Sequence, residues 1–184
     1  MAEVYLQLGS NSGGRRANIM RALTFLENAL GKPEAVSEII ETEAVGFKGA
    51  EFLNCAARYR TRFGPRRILA LCKKIEWEMG RREVPEYASD GSRIYHDRVI
   101  DIDILLYCPA ATPGRSLVTH SKELTLPHPQ VETRSFVRPL LSQVLKRSPR
   151  RRAGGEAASS VSRKIKEVEK QGASQGKPAK SKKI

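Results

Sequence analysis

Long apolar runs are missing from this chain of 184 residues. No segment approaches the ~20 consecutive apolar residues that a membrane-spanning helix needs, so no membrane partner is expected. The first residues, MAEVYLQLGS, have neither the basic start nor the extended apolar stretch of a secretory leader. Cysteine is scarce: Cys55, Cys72 and Cys108 are an odd, widely spaced set with no C-x-x-C pair. That argues against a disulfide framework and against a cysteine zinc site. It points instead to three small core residues in a reducing, cytoplasmic compartment. Two catalytic signatures are also absent. Neither G-x-G-x-x-G nor H-E-x-x-H occurs, which leaves dinucleotide-binding and zincin chemistry without support. No internal repeat is visible.

Acidic groups are in short supply at one end. The chain holds 33 Lys+Arg against 20 Asp+Glu, a formal charge of +13. Residues 146–184 contain 13 of the basic residues and 3 of the acidic ones, so most of the excess lies there. This stretch has no aromatics and few large aliphatics, and it is rich in Gly, Ser, Ala and Lys. Such a composition cannot bury enough surface to offset its ordering entropy. Residues 146–184 are therefore expected to be a disordered basic tail. Val161, Ile165 and Val168 have helical spacing and allow a transient helix. An arm that binds nucleic acid or an acidic partner is one reading. The composition supports only a nonspecific footprint, so a solvated extension is the favoured one. Residues 1–145 are nearly balanced in charge and long enough for one compact domain.

The domain reads as alternating elements. Val4, Leu6 and Leu8 alternate with Tyr5 and Gln7, a strand pattern. A Gly/Ser/Asn turn at 9–14 follows. Ile19, Leu23, Leu26 and Leu30 then recur at helical spacing, ended by Gly31 and Pro33. Residues 35–45 look extended, and Phe52 to Arg62 reads as a strand. Gly64-Pro65 opens a second helix with the stripe Ile68, Cys72, Ile75 and Met79, capped by Gly80. Residues 81–98 are polar and form a long loop; loops of that length inside a domain are usually functional. Val99 to Tyr107 (VIDIDILLY) is a strong strand, 109–123 a turn-rich connection, and Leu124 onward a partly helical stretch to Leu145. The order β-α-β-β-α-β predicts an α+β fold, a ferredoxin-like sandwich with an antiparallel sheet packed by helices.

The sharpest chemical signal is Asp101-Ile102-Asp103 inside an apolar strand. Strand side chains alternate faces. Ile100, Ile102 and Ile104 then point one way and the two carboxylates the other, about 7 Å apart. Neighbouring anions resist desolvation unless a cation shares them. Mg²⁺ commonly takes one or two carboxylates plus substrate phosphates. An exposed face with two solvated carboxylates is the plainer alternative. The flanks favour the metal: Arg81, Arg82, Arg93 and Arg98 precede the pair, and His128 and Arg134 follow. Arginines clamp phosphate oxygens with paired donors, and phosphoryl transfer needs such positive groups. Gly9, Gly14, Arg15 and Arg16 nearly spell a Walker A loop. The motif's lysine is replaced by arginine and no Ser/Thr follows, so a P-loop is not supported.

Taken together, these segments resemble the 6-hydroxymethyl-7,8-dihydropterin pyrophosphokinase family of folate biosynthesis. The matching pieces are Tyr5-Leu6-Gln7-Leu8-Gly9-Ser10-Asn11, Glu41-Thr42, Phe52-Leu53-Asn54-Cys55-Ala56 and Ile75-Glu76 with Gly80-Arg81. Asp97 to Leu105 (DRVIDIDIL) follows, then Leu126-Pro127-His128-Pro129 with Arg134, Phe136 and Pro139-Leu140. They run in family order over residues 4–141. The DRxIDIDIL run with LPHPxxxxRxF downstream is the specific part.

The resemblance implies a monomeric, cytoplasmic kinase that moves a pyrophosphoryl unit from ATP to the pterin's hydroxymethyl oxygen and releases AMP. By the same likeness, Asp101 and Asp103 hold two Mg²⁺ ions, and Arg81 and Arg98 share in catalysis. Lys73, Glu76, Arg81, Arg82, Arg93, Arg98, His128 and Arg134 fall at or near positions facing ATP. Phe52 and Phe136 would sandwich the pterin, with Asn54, Thr42 and Val45 along its amide edge. The 81–98 loop is expected to close over ATP and exclude water. Two rival readings remain. A nucleotidyltransferase would, by its own family's pattern, place its Gly-Ser turn close to the DxD; here they are about ninety residues apart. An RNA-binding module of ferredoxin-like fold would need aromatics on its central strands, where this chain has carboxylates.

Overall fold

Alternation along the first strand sets up both faces of the sheet. In the computed structural model, residues 1–44, 49–82, 91 and 97–145 are described, with the backbone alone at 86–87 and 93–94. The expected tail from Lys146 onward lies outside them, as does Val45. Strand β1 (Ala2–Ser10) turns Ala2, Val4, Leu6 and Leu8 into one core. Gly13, at φ +61°, supplies the left-handed residue of the turn that follows. Helix α1 (Arg15–Leu30) buries Ile19, Ala22 and Leu26, spaced three and four apart. Two short strands, β2 (Ala35–Val36) and β3 (Ile40–Thr42), occupy the segment expected to be extended. Strand β4 (Phe52–Thr61) then leads to α2 (Pro65–Glu78), which has proline in its first turn. The α2 stripe Ile68, Cys72 and Ile75 is buried as expected, and so is Glu76.

The 81–98 segment differs from a plain loop. Within it β5 (Glu86–Tyr87) pairs antiparallel with β6 (Arg93–Ile94). Strand β7 spans Asp101–Cys108, and Leu105 sits in a bulge opposite the Tyr5–Leu6 step of β1. The bulge shifts the alternation by one residue, so Ile100, Ile102 and Ile104, then Tyr107, join the core. In the turn-rich connection, β8 (Thr119–His120) pairs with β9 (Thr125–Leu126). Helices α3 (Gln130–Thr133) and α4 (Val137–Val144) close the domain.

The main sheet is antiparallel and runs β2–β4–β1–β7, with β3 also paired to β4. Helices α1 and α2 pack on one face, α1 against β1 and β4 and α2 against β7. Cys55, Ala57 and Tyr59 of β4 join this core with Leu26, Ile68 and Cys72. Helix α4 packs on β4, β2 and β1, and its buried Val137, Leu140, Leu141 and Val144 stand apart from that cluster, on the other face. The fold is thus α+β, an antiparallel sheet flanked by helices.

Candidate active site

Because Ile100, Ile102 and Ile104 serve the α1–α2 core, Asp101 and Asp103 face the opposite side. The register extends this polar face across three strands. Asp101 stands opposite Gly9, and Gly9 opposite Asn54; Asp103 stands opposite Gln7, and Gln7 opposite Ala56. Strands lie about 4.8 Å apart, which puts Asn54 about 10 Å from Asp101 with Gly9 between them. Gly9 keeps that interval open. A Cβ there would lie 2.9 Å from Asn54 Oδ1 and 3.5 Å from Phe52 Cδ1.

The two carboxylates differ in company. Arg81 Nη1 donates to Asp101 Oδ1 at 2.5 Å, and Arg98 Nη1 to Asp101 Oδ2 at 2.5 Å. Burial would raise the Asp101 pKa, but the two guanidiniums outweigh it and hold the carboxyl below its ordinary range. Among the described residues Asp103 has no such clamp. Its Oδ2 accepts from Gln130 Nε2 at 3.1 Å, and His128 Nε2 lies 3.9 Å from its Oδ1. Burial, reinforced by the charge on Asp101, raises its pKa. The backbone N–H of Gln130 donates to His128 Nδ1 at 3.2 Å.

Glu76 is the hidden anchor of this arrangement. Its side chain is 3% exposed, its Oε1 accepts from the Ile102 N–H at 2.7 Å, and Arg81 Nη1 lies 2.7 Å away. Lys73 Nζ reaches its Oε2 at 3.0 Å. Burial raises the Glu76 pKa, while Arg81 and Lys73 pull it down. One carboxylate thereby ties α2 to the strand at the residue between the two aspartates. A cavity of about 260 Å³ opens beside Asp103, lined also by Leu69, Lys73, Ile104, Thr125 and His128 among others.

At the other end of the polar face, Asn54 is 2% exposed and oriented by two neighbours. Its Oδ1 accepts from Gln7 Nε2 at 3.3 Å and its Nδ2 donates to Thr42 Oγ1 at 2.9 Å. Phe52 is half-buried at the start of β4, and Phe136 is half-buried at the start of α4. Asn11 holds the segments around the site together. Its Nδ2 donates to Asp97 Oδ1 at 2.7 Å and to the Ala50 carbonyl at 3.1 Å, and its Oδ1 accepts from the Arg98 N–H at 2.6 Å.

The structure therefore brings together Lys73, Glu76, Arg81, Arg98, Asp101, Asp103 and His128, and separately Thr42, Phe52 and Asn54. Arg82 goes elsewhere. Its guanidinium stacks 4.8 Å over the Trp77 ring, and Nη1 donates to the Trp77 carbonyl. Arg134 is half-buried at the end of α3. The Arg93 side chain and Val45 lie outside the described residues. Sequence reasoning missed Gln7, Asn11 and Gln130 as individual site residues. The strand period could have found Gln7, since it shares its face with Gly9. Gln130 gave no signal beyond lying two residues after His128.

The geometry is thus a same-face carboxylate pair, with Asp101 clamped by two arginines and Asp103 bordering a cavity. Residues 5–146 match the 7,8-dihydro-6-hydroxymethylpterin-pyrophosphokinase (HPPK) family, and the chain belongs to that family. Similar proteins include a 2-amino-4-hydroxy-6-hydroxymethyldihydropteridine pyrophosphokinase of Porphyromonas gingivalis. It is 43% identical over 78% of this chain and 91% of its own length. Proteins of the same name in Aquifex aeolicus and Bacillus subtilis are 40% and 34% identical. Their matches cover 77% and 76% of this chain, and 79% and 76% of the relatives.

Proposed function

We propose that the protein transfers the pyrophosphoryl group of ATP to the hydroxymethyl oxygen of 6-hydroxymethyl-7,8-dihydropterin, releasing AMP, as a step of folate biosynthesis. Family membership supports the identity of the substrates. The observation that carries the reading is the row Asp101–Gly9–Asn54, which sets a cation-binding carboxylate and an amide reader about 10 Å apart on one open face.

The donor set fits magnesium. Asp101 and Asp103 offer hard oxygens on one side, and no group of three or more His, Cys, Asp or Glu among the described residues forms a protein-only cage. Mg²⁺ is held in this way, by one or two carboxylates completed by substrate phosphates. The raised pKa of Asp103 marks a carboxylate short of positive charge. In this reading Asp101 and Asp103 would hold two Mg²⁺ ions, which would supply positive charge for the triphosphate oxygens and lower the cost of removing the acceptor's proton.

The chain's own residues do the rest. Arg81 and Arg98 pair with Asp101, and in this reading their guanidiniums turn to phosphate oxygens when nucleotide binds. Lys73, Glu76, His128 and Arg134 border the nucleotide, with Arg82 and Arg93 assigned to it by family position. Phe52 and Phe136 stack on the pterin, and Asn54, Thr42 and Val45 line its amide edge. Asn54 keeps a second lone pair and a second N–H beyond those used by Gln7 and Thr42, so it can still pair with a flat amide. Held in line, the hydroxymethyl oxygen bonds to the β-phosphorus while the bond to the bridging oxygen breaks and AMP leaves.

Residues 1–145 are taken as the catalytic domain and the basic tail as a separate extension. The sheet supports a ferredoxin-like assignment: β1-α1-β2 and β4-α2-β7 interleave, so that β1 and β4 are central. The enzyme is assigned as a monomer in the cytoplasm, where its three free thiols suit a reducing medium. Mass spectrometry of the products tests the reading. ATP and the hydroxymethyl-dihydropterin should give AMP and the pterin pyrophosphate with Mg²⁺ and nothing without it. Release of ADP, or metal-independent turnover, would overturn it.

A further inference from the structure

We propose that Gln130 is a positioning residue for Asp103. Its Nε2 fixes the carboxylate, and its Oε1 accepts a hydrogen bond from the hydration shell of the cation held there. The proposal deepens the reading above and rests on Asp103 being a cation ligand.

Gln130 touches both groups at the nucleotide end of the site. Its side chain donates to Asp103 Oδ2 at 3.1 Å and its backbone N–H donates to His128 Nδ1 at 3.2 Å. The first contact occupies Asp103 Oδ2 and leaves Oδ1, with only His128 Nε2 at 3.9 Å beside it among the described residues, as the oxygen to face a cation. The second makes Nδ1 an acceptor, so the ring nitrogen that carries a proton is Nε2, 3.9 Å from Asp103 Oδ1. The other half of the amide is unused: Gln130 Oε1 is buried and has no hydrogen-bond partner among the described residues. Reversing the amide does not remove the problem, because it would set a carbonyl oxygen against a carboxylate.

A buried acceptor without a donor has lost its water and gained nothing for it. Such an atom beside a ligand site calls for a donor that arrives with the ligand. Phosphate oxygens cannot serve, since they too are acceptors. Mg²⁺ gives up its water reluctantly and carries several waters into its sites. Each is a polarised donor, and those on a cation at Asp103 come within reach of an amide already bonded to that carboxylate. Partners of this kind set ligand orientation and tune metal affinity.

The test reads the cation, not only turnover. Mn²⁺ would be titrated into the enzyme saturated with α,β-methylene ATP and followed by electron paramagnetic resonance. Gln130→Met should weaken Mn²⁺ binding about 10- to 100-fold. It should raise the Mg²⁺ concentration for half-maximal turnover in step, and leave the KM for the pterin unchanged. Asp103→Ala is the control and should lose the Mn²⁺ signal of that site. Mn²⁺ affinity within twofold of wild type in Gln130→Met, with the control still lost, would overturn the role of Gln130 while sparing Asp103. Wild-type Mn²⁺ binding in Asp103→Ala would instead sink the cation reading itself. Should Gln130→Met fail to fold, Gln130→Asn, which withdraws the amide by one methylene, carries the same expectations and the same refutation.

Discussion

The two faces of the central sheet are made by the same three strands and have opposite properties. Toward α1 and α2, strands β1, β4 and β7 present Leu6, Leu8, Ala57, Tyr59, Ile102 and Ile104, none more than 2% exposed. Toward the other side, at the end of the strands that carries the site, stand Gln7, Gly9, Asn54, Asp101 and Asp103, while α4 packs its apolar residues on β4, β2 and β1 of the same face. Neighbouring positions thus divide the work, one set holding the fold and the other the chemistry. Side chains alternate with period two, so a one-residue slip in register would exchange the sets. The apolar face leaves little freedom for such a slip, and precision at the polar face follows from packing behind it.

Substitutions one residue apart should therefore have different consequences. The largest effect is expected at Asp101 or Asp103. Alanine at either should lower turnover by at least about 10³-fold while the circular dichroism spectrum stays native, and near-normal turnover would remove the cation assignment. Ile102 lies between them and points the other way. Ile102→Ala should cost about 2–5 kcal/mol in urea unfolding, with the KM for both substrates nearly unchanged in the folded fraction. Loss of activity without loss of stability there would break the division between faces.

Arg98→Ala should cost roughly 2–4 kcal/mol of transition-state stabilisation, read from kcat/KM; an unchanged value would refute its role. The smallest effect separates the two aspartates themselves. The Asp101 pKa is depressed by Arg81 and Arg98, so its contribution to stability is present above its unfolded value near pH 4 and fades as pH falls through its folded one. Asp101→Asn should flatten the acid limb of the stability curve. The Asp103 pKa is raised by burial and by Asp101, so its cost to stability sets in as pH rises past its unfolded value near pH 4 and is complete above its folded one. Asp103→Asn should make the metal-free enzyme slightly more stable at neutral pH. Thermal melts across pH check both signs, and equal shifts of one sign would show the two carboxylates to be equivalent.

Much of this architecture is legible in the chain because it rests on period. The alternation in VIDIDILLY fixes which side the aspartates take, and the Ile68, Cys72, Ile75 stripe fixes the buried side of α2. Glu76 is not legible in the same way. A glutamate beside an apolar stripe reads as solvated, and only the Ile102 N–H, Lys73 and Arg81 together explain its burial. Strands of two residues, such as Glu86–Tyr87 and Arg93–Ile94, are too short to carry a period. Arg82 shows the limit of counting charges. It lies next to Arg81 in sequence, but one guanidinium enters the acidic pair and the other stacks on an indole. Gln130 depends on a contact with the distant Asp103, which no local pattern encodes.

That indole has a practical use. Trp77 is the only tryptophan in the chain, is 62% exposed, and follows Glu76 directly on α2. The guanidinium resting on it belongs to the residue after Arg81, which grips Asp101. A charge held against an indole changes its fluorescence, so the protein carries its own optical reporter one residue from the glutamate that anchors the strand of the carboxylate pair. Titrating unlabelled enzyme with nucleotide and watching tryptophan emission would show, in real time, whether Arg82 keeps its place when the neighbouring arginine is recruited.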